Sequence, residues 1–120
     1  MEFFKLYKGD YMNNFFKKIK KHRNCQDICL EELKDIIKIN EGVVLVDVRS
    51  PLEFIEGHLN GAINIPLYEL EICSECKLKD KRKIIVIYCQ SGIRSKKAIR
   101  ILEKHGFNNL YHLKGGLDAI

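Results

Sequence analysis

Two short apolar runs constrain this chain more than any other feature. Val43-Val44-Leu45-Val46-Asp47-Val48 and Ile84-Ile85-Val86-Ile87-Tyr88 are almost unbroken and rich in β-branched side chains. A strand with one wet face alternates apolar and polar residues. A run that is apolar on both sides belongs inside a sheet covered on both faces, as parallel strands joined by helical crossovers are. Both runs fall far short of the roughly 18 apolar residues of a membrane-spanning helix, so a soluble protein is expected.

The punctuation around the runs supports the same architecture. Leu30, Leu33, Ile36 and Ile37 mark a helix from Leu30 to Ile39, stopped by Asn40 to Gly42. A short helix can start at Pro51, before Gly57-His58 and Asn60-Gly61 turns, a strand from Ala62 to Ile65 and its stop at Pro66. Leu67 to Ile72 reads as another short helix, followed by a charged, cysteine-containing loop through Lys83. Beyond the second run, a helix from Ser95 to His105 turns Ala98, Ile99 and Leu102 inward and ends at Gly106. A strand from Leu110 to Leu113 and a Gly115-Gly116 turn complete the pattern. Strand and helix alternate, which predicts an α/β sheet with helices on both faces. The 120 residues, 46% apolar with 2 Pro, fit one small domain and exclude a disordered, collagenous or multidomain chain.

Charge divides the chain in two. Of its 21 Lys and Arg and 16 Asp and Glu, residues 1–24 hold seven basic and two acidic side chains, which accounts for the net charge of +5. Residues 25–120 are neutral, so the domain predicts no nucleic-acid face. In the leader, Met12, Phe15, Phe16 and Ile19 fall at helical spacing opposite Lys17, Lys18, Lys20 and Lys21. It reads as a domain-packed or frayed appendage, or as a basic amphipathic helix making weak contact with an anionic membrane surface or a partner. Met12 is an alternative start.

Five cysteines (Cys25, Cys29, Cys73, Cys76, Cys89) cannot all pair within one chain, and no secretory cleavage site follows the leader's apolar residues. A reducing cytoplasm is expected, with at least one free thiol. Cys89 stands out. It ends a buried strand and opens a tight loop, Gln90-Ser91-Gly92-Ile93-Arg94-Ser95, before a helix, at the sheet end where α/β proteins bind ligands. Amides of residues 90–94 turned toward the sulfur, the positive end of the helix and the Arg94 guanidinium would together stabilise a thiolate. A thiol so placed has its pKa lowered from ~8.5 into the range of roughly 3.5–7.5.

Four segments in order, Asp47-Val48-Arg49-Ser50-Pro51-Leu52-Glu53-Phe54, Gly57-His58-Leu59-Asn60-Gly61-Ala62-Ile63-Asn64-Ile65-Pro66, Tyr88 through Ser95, and Leu113-Lys114-Gly115-Gly116, resemble the single-domain rhodanese-type sulfurtransferases. The resemblance runs from about Ile28 to Gly116 and leaves out the leader and the cysteines at 25, 29, 73 and 76. It implies a three-layer fold with a central, mostly parallel five-stranded sheet. It also implies a persulfide on Cys89, loaded from a small-molecule donor such as thiosulfate and unloaded onto a thiol or protein acceptor, with no cofactor and no metal. Arg94 would bind donor oxygens or brace the loop, Gly92 would supply unusual backbone angles, and Gln90, Ser91, Ile93 and Ser95 would line the pocket. Phosphatases and arsenate reductases of this architecture resemble a wider loop with five residues between Cys and Arg. The four here favour sulfur transfer.

Several residues carry a plainer alternative. Asp47 and Arg49 either orient the Cys89 loop or pair with each other or with Glu53 as scaffold, the reading preferred here. His58 is expected to satisfy backbone groups rather than act as a base, and His112 to be partly buried structure. Cys73 and Cys76 are candidate resolving thiols for a Cys89 persulfide. With Cys25 and Cys29 they make a weak match to a four-cysteine zinc site; loop and helix-end cysteines without function are the default. The competing function from another class is a docking module that uses the same fold without its thiol.

Overall fold

The computed structural model describes residues 26–120, so the leader at 1–24 and Cys25 lie outside the described residues. Strands β1 (Asp27–Ile28), β2 (Val44–Asp47), β3 (Ile63–Asn64), β4 (Ile85–Tyr88) and β5 (Leu110–Leu113) alternate with helices α1 (Leu30–Ile39), α2 (Pro51–Glu56), α3 (Leu67–Lys77) and α4 (Ile93–Lys104). A 3₁₀ turn over Gly116–Ala119 follows β5. The five strands form one sheet in the order β1-β5-β4-β2-β3, and every pair is parallel. This is the expected α/β fold. Among the described residues no helix is long and apolar enough to cross a membrane.

The two apolar runs became the two central strands, and their alternation sorts the core. Ile85, Ile87 and Cys89 point to one face, where they meet Leu70 of α3 and Ala98, Ile99 and Leu102 of α4. Val86 and Tyr88 point to the other, against Leu33 and Ile36 of α1. Each such aliphatic side chain stabilises the fold by roughly 1.5–3 kcal/mol relative to exposure. The chain leaves β2 toward β3 on one side and leaves β4 toward β5 on the other. Such a reversal opens a crevice beyond the carboxyl ends of β2 and β4, the place where open α/β sheets bind ligands.

Local signals explain most element ends and also the departures from expectation. Ser50 and Glu53 cap α2 reciprocally: the Glu53 amide donates to Ser50 Oγ at 3.2 Å and the Ser50 amide to Glu53 Oε1 at 3.1 Å, with Pro51 in the first turn. Helix α4 begins at Ile93, two residues before the expected Ser95, because Gly92 adopts a left-handed conformation (φ 99°) that starts the helix inside the loop. Ile37, expected inward, is 45% exposed, since the buried stripe of α1 centres on Leu33 and Ile36. Helix α3 continues to Lys77 across a non-helical Cys73 (φ −151°, ψ 47°), where a loop was expected. Its second half is held by a Lys77 Nζ bond to Glu69 Oε2 at 2.7 Å, by the Leu78 amide donating to the Ser74 carbonyl at 2.9 Å and by burial of Leu78, none of which shows as helical periodicity.

Candidate active site

Cys89 follows β4 directly and is fully buried. Its sulfur accepts hydrogen bonds from the amides of Gly92 at 3.0 Å and Ser95 at 3.4 Å, and its thiol lies 3.6 Å from Ser95 Oγ. Both amides belong to the junction where the loop becomes α4, so the helix presents its positive end to the sulfur. Gly92 makes this possible. A residue with a side chain resists a φ of 99°, and a Cβ there would sit 3.3 Å from the Gly115 amide nitrogen.

The loop is braced from three directions. From the C-terminal side, the amides of Leu117 and Asp118 donate to the carbonyls of Cys89 at 3.0 Å and Gln90 at 2.9 Å. The Gln90 side chain donates to Asp118 Oδ1 at 2.7 Å. From the segment just after β2, Arg49 Nη1 donates to Gln90 Oε1 at 3.4 Å. From α2, Glu53 takes both ends of the Arg94 guanidinium, at 2.7 and 3.0 Å. Ser91 and Ile93 are exposed on the rim, with Ile93 showing 66% of its surface.

Asp47 and Arg49 form a buried pair. Arg49 Nε lies 3.1 Å from both Asp47 carboxylate oxygens and Nη2 lies 2.9 Å from Oδ2, while Nη2 also donates to the Gly57 carbonyl. The pair is therefore scaffold that also touches the loop. Asn64 ties the same segment down by donating to the Asp47 and Arg49 carbonyls, each at 3.0 Å. The Tyr88 hydroxyl accepts from the Leu59 amide at 3.0 Å, and burial holds it in its neutral form by raising its pKa beyond the ordinary tyrosine range. His58 places Nδ1 2.8 Å from the Phe54 carbonyl and stacks on the Phe54 ring, the backbone role expected for it.

The hydrogen bonds from Arg94 hold the Glu53 carboxyl down at about 2, with those from Ser50 adding to the effect, while Glu53 raises Arg94 above its ordinary value. A carboxyl depressed in the folded state contributes stability that is present above its unfolded pKa and lost as pH falls through the folded one. The Glu53 contribution is therefore complete above about pH 4.5 and lost toward pH 2. Both side chains are about a third exposed, so solvent screening keeps the effect to about 1 kcal/mol or less. Urea midpoints of wild type and Glu53→Gln are expected to differ at neutral pH and to converge as pH is lowered through that window.

The remaining thiols fall elsewhere. Cys73 and Cys76, weighed as resolving thiols, are bonded to each other within α3, with Cα atoms 5.3 Å apart. That bond also removes both thiols from the four-cysteine zinc set, of which Cys25 lies outside the described residues. Cys29 is free and exposed beside α1. Among the described residues no group of three or more His, Cys, Asp or Glu is placed to hold a metal ion.

Sequence reasoning did not find Glu53, Leu117, Asp118 or Gly116 as parts of the site. The Ser50-x-x-Glu53 capping box was a legible signal for the first. The 3₁₀ turn after the glycine pair, beyond the expected Gly115-Gly116 turn, is the part of the chain that grips the loop.

A family model described as "Rhodanese-like domain" matches residues 30–120. The chain is 34% identical over 93 residues to a protein named "Sulfurtransferase" from Allochromatium vinosum, covering 78% of this chain and 85% of that one. It is 37% identical over 90 residues to the tRNA uridine(34) hydroxylase of Hamiltonella defensa, covering 72% of this chain and 25% of that one. The chain thus spans about a quarter of the hydroxylase and about half of other curated relatives, such as YqhL of Bacillus subtilis (44% identical, 60% of this chain, 56% of that one). Among solved structures it is similar to the human single-domain sulfurtransferase TSTD1, with TM-score 0.66 and 25% identity over 76% of this chain and 90% of that one. It is also similar to the rhodanese-like domain of Anabaena Alr3790, with TM-score 0.70 and 27% identity over 78% of this chain and 71% of that one.

Proposed function

The chain belongs to the rhodanese-like domain family, and from that premise we propose that it is a sulfurtransferase whose sulfur carrier is Cys89. The observation that carries this reading is the sulfur held at the carboxyl end of β4 by the Gly92 and Ser95 amides at the head of α4. Backbone amides and a helix terminus favour the ionised sulfur and cost no reorganisation when charge develops there. The same donors suit the outer, charged sulfur of a persulfide.

The reaction is a two-step exchange. The Cys89 thiolate attacks the outer sulfur of thiosulfate, forming a new S–S bond while sulfite leaves with the electron pair of the old one. A nucleophilic acceptor, a thiolate of a small molecule or protein, then takes the outer sulfur and releases the Cys89 thiolate. Arg94 offers a planar donor fork to the oxygens of an anionic donor, exchanging part of its hold on Glu53 for them. Gln90, Ser91, Ile93 and Ser95 shape the pocket around the incoming sulfur. The chemistry requires Cys89 to be reduced, which suits the cytoplasm.

The test is the intact mass of reduced protein after incubation with thiosulfate and then with cyanide. Uptake of one sulfur atom, lost on cyanide addition with release of thiocyanate, is the expected result. A folded protein that takes no sulfur from thiosulfate or from a persulfide donor overturns the reading in favour of a docking module.

A further inference from the structure

Behind the Cys89 sulfur, two buried polar side chains and one part-buried carboxylate stand in line. Ser95 Oγ is 3.6 Å from the sulfur and 3.1 Å from His112 Nδ1, and His112 Nε2 is 2.6 Å from Asp27 Oδ1. Ser95 shows none of its surface and His112 only 2%. The sheet brings them together: His112 on β5 pairs with Asp27 on β1 and with Ile87 on β4, and Cys89 lies two residues beyond Ile87 on the same face. The amides that hold the sulfur do not account for this line, because a histidine needed only for packing has no reason to reach both a carboxylate and the serine beside the thiol.

Counting hydrogens restricts what the line can do. An ionised Asp27 only accepts, so His112 Nε2 carries a hydrogen. With a neutral imidazole, Nδ1 is an acceptor: the Ser95 hydroxyl donates to it and the Cys89 thiol donates to Ser95 Oγ. With an imidazolium, Nδ1–H donates to Ser95 Oγ, and the serine hydrogen is free to turn to a sulfur anion. The Gly92 carbonyl, 3.0 Å from Ser95 Oγ, competes for that hydrogen, but a hydrogen bond to a charged sulfur is the stronger. The two arrangements differ by two short proton shifts, sulfur to Oγ and Oγ to Nδ1, with no heavy-atom bond made or broken and no redox change.

We propose that His112, oriented by Asp27, is a positioning residue that receives the Cys89 proton through the Ser95 hydroxyl and so holds the nucleophile as a thiolate–imidazolium pair. The proposal rests on the reading of Cys89 as the sulfur carrier and adds the destination of its proton. Asp27 supplies the countercharge to the imidazolium. The other charged groups near His112 are Lys96, Arg100 and Glu103 of α4, which line a cleft of about 180 Å³ with it; two of these oppose the imidazolium and one supports it. The cleft, lined by His112 and Asp27, gives the relay an outlet to solvent beside α4.

The test follows the Cβ carbon signal of labelled Cys89 by NMR across pH, assigned by its loss in Cys89→Ser; this reports ionisation without any reagent entering the site. The ionisation midpoint of Cys89 is expected to rise by about one pH unit or more in His112→Gln and in Ser95→Ala, and by less in Asp27→Asn. By reciprocity, the His112 imidazole in wild type stays protonated to higher pH than in Cys89→Ser. Midpoints unchanged in all three folded variants overturn the proposal. If His112→Gln fails to fold, Asp27→Asn and the Cys89→Ser reciprocal shift decide it. Sulfur loading with unchanged midpoints removes this inference alone, whereas shifted midpoints without loading remove the sulfurtransferase reading and leave the relay standing.

Discussion

Cys89→Ser keeps the fold and loses sulfur loading altogether. The hydroxyl oxygen still lies within reach of the Gly92 and Ser95 amides, so no buried donor is orphaned and stability changes by about 1 kcal/mol or less. A serine hydroxyl is far less acidic than a thiol, stays un-ionised at neutral pH and is a poor nucleophile toward a soft sulfur electrophile, so loading falls at least about 10³-fold, into the uncatalysed background. Intact mass after thiosulfate treatment, beside a urea melt, reads both halves of this expectation. Persistent uptake of sulfur by the folded variant would move the carrier to another cysteine, with the exposed Cys29 first to be mapped.

Gly116→Ala is expected to damage stability and chemistry together. A Cβ built on Gly116 lies 2.4 Å from the Cys89 carbonyl oxygen and 2.6 Å from that of Gln90, and the residue's φ of 61° is left-handed. The conformation alone costs about 1–2 kcal/mol for a residue with a side chain. The clash is with backbone that cannot swing away, because the same two carbonyls are held by the Leu117 and Asp118 amides. A total loss of about 2–4 kcal/mol follows. The loop that aims the sulfur must also move, and a displacement of about 1 Å is enough to slow loading by about 10²-fold. Gly61→Ala is the control: its φ of 83° is also left-handed, but nothing lies within 4 Å of the added carbon. It should lose stability only through backbone strain and keep its loading rate. Equal loading rates in the two variants would refute the clamp.

What could be read in the sequence was whatever short-range pattern encodes. Val43 to Val48 and Ile84 to Tyr88 announced the central strands, and the Cys89-to-Arg94 spacing announced the loop, because strand period and loop length are local properties. The resemblance supplied the fifth strand that a two-residue β1 hides. Partnerships across the parallel sheet were not legible. Asp27 and His112 are 85 positions apart and meet only through the β1–β5 register, so His112 looked like an ordinary strand residue. Arg94 read as a binder of donor oxygens or a brace for the loop, but nothing near it in sequence revealed its partner Glu53, 41 positions earlier. Cys73 and Cys76 read as resolving thiols, zinc ligands or cysteines without function, because a pair three positions apart needs the break in α3 to be seen as a bond.

The holders of the Cys89 loop are distributed along the chain in a way that orders events in time. Arg49 and Glu53 lie 41 positions before their loop partners, whereas Asp118 lies 28 positions after Gln90. A ribosome that has just added Arg94 has made the thiol and its upstream braces but not the 3₁₀ turn whose amides fix the loop. Until residues 116–118 emerge, the Cys89 and Gln90 carbonyls lack the amides that hold the loop in place. The loop around the sulfur is thereby completed only after the 3₁₀ turn that follows β5 has been made.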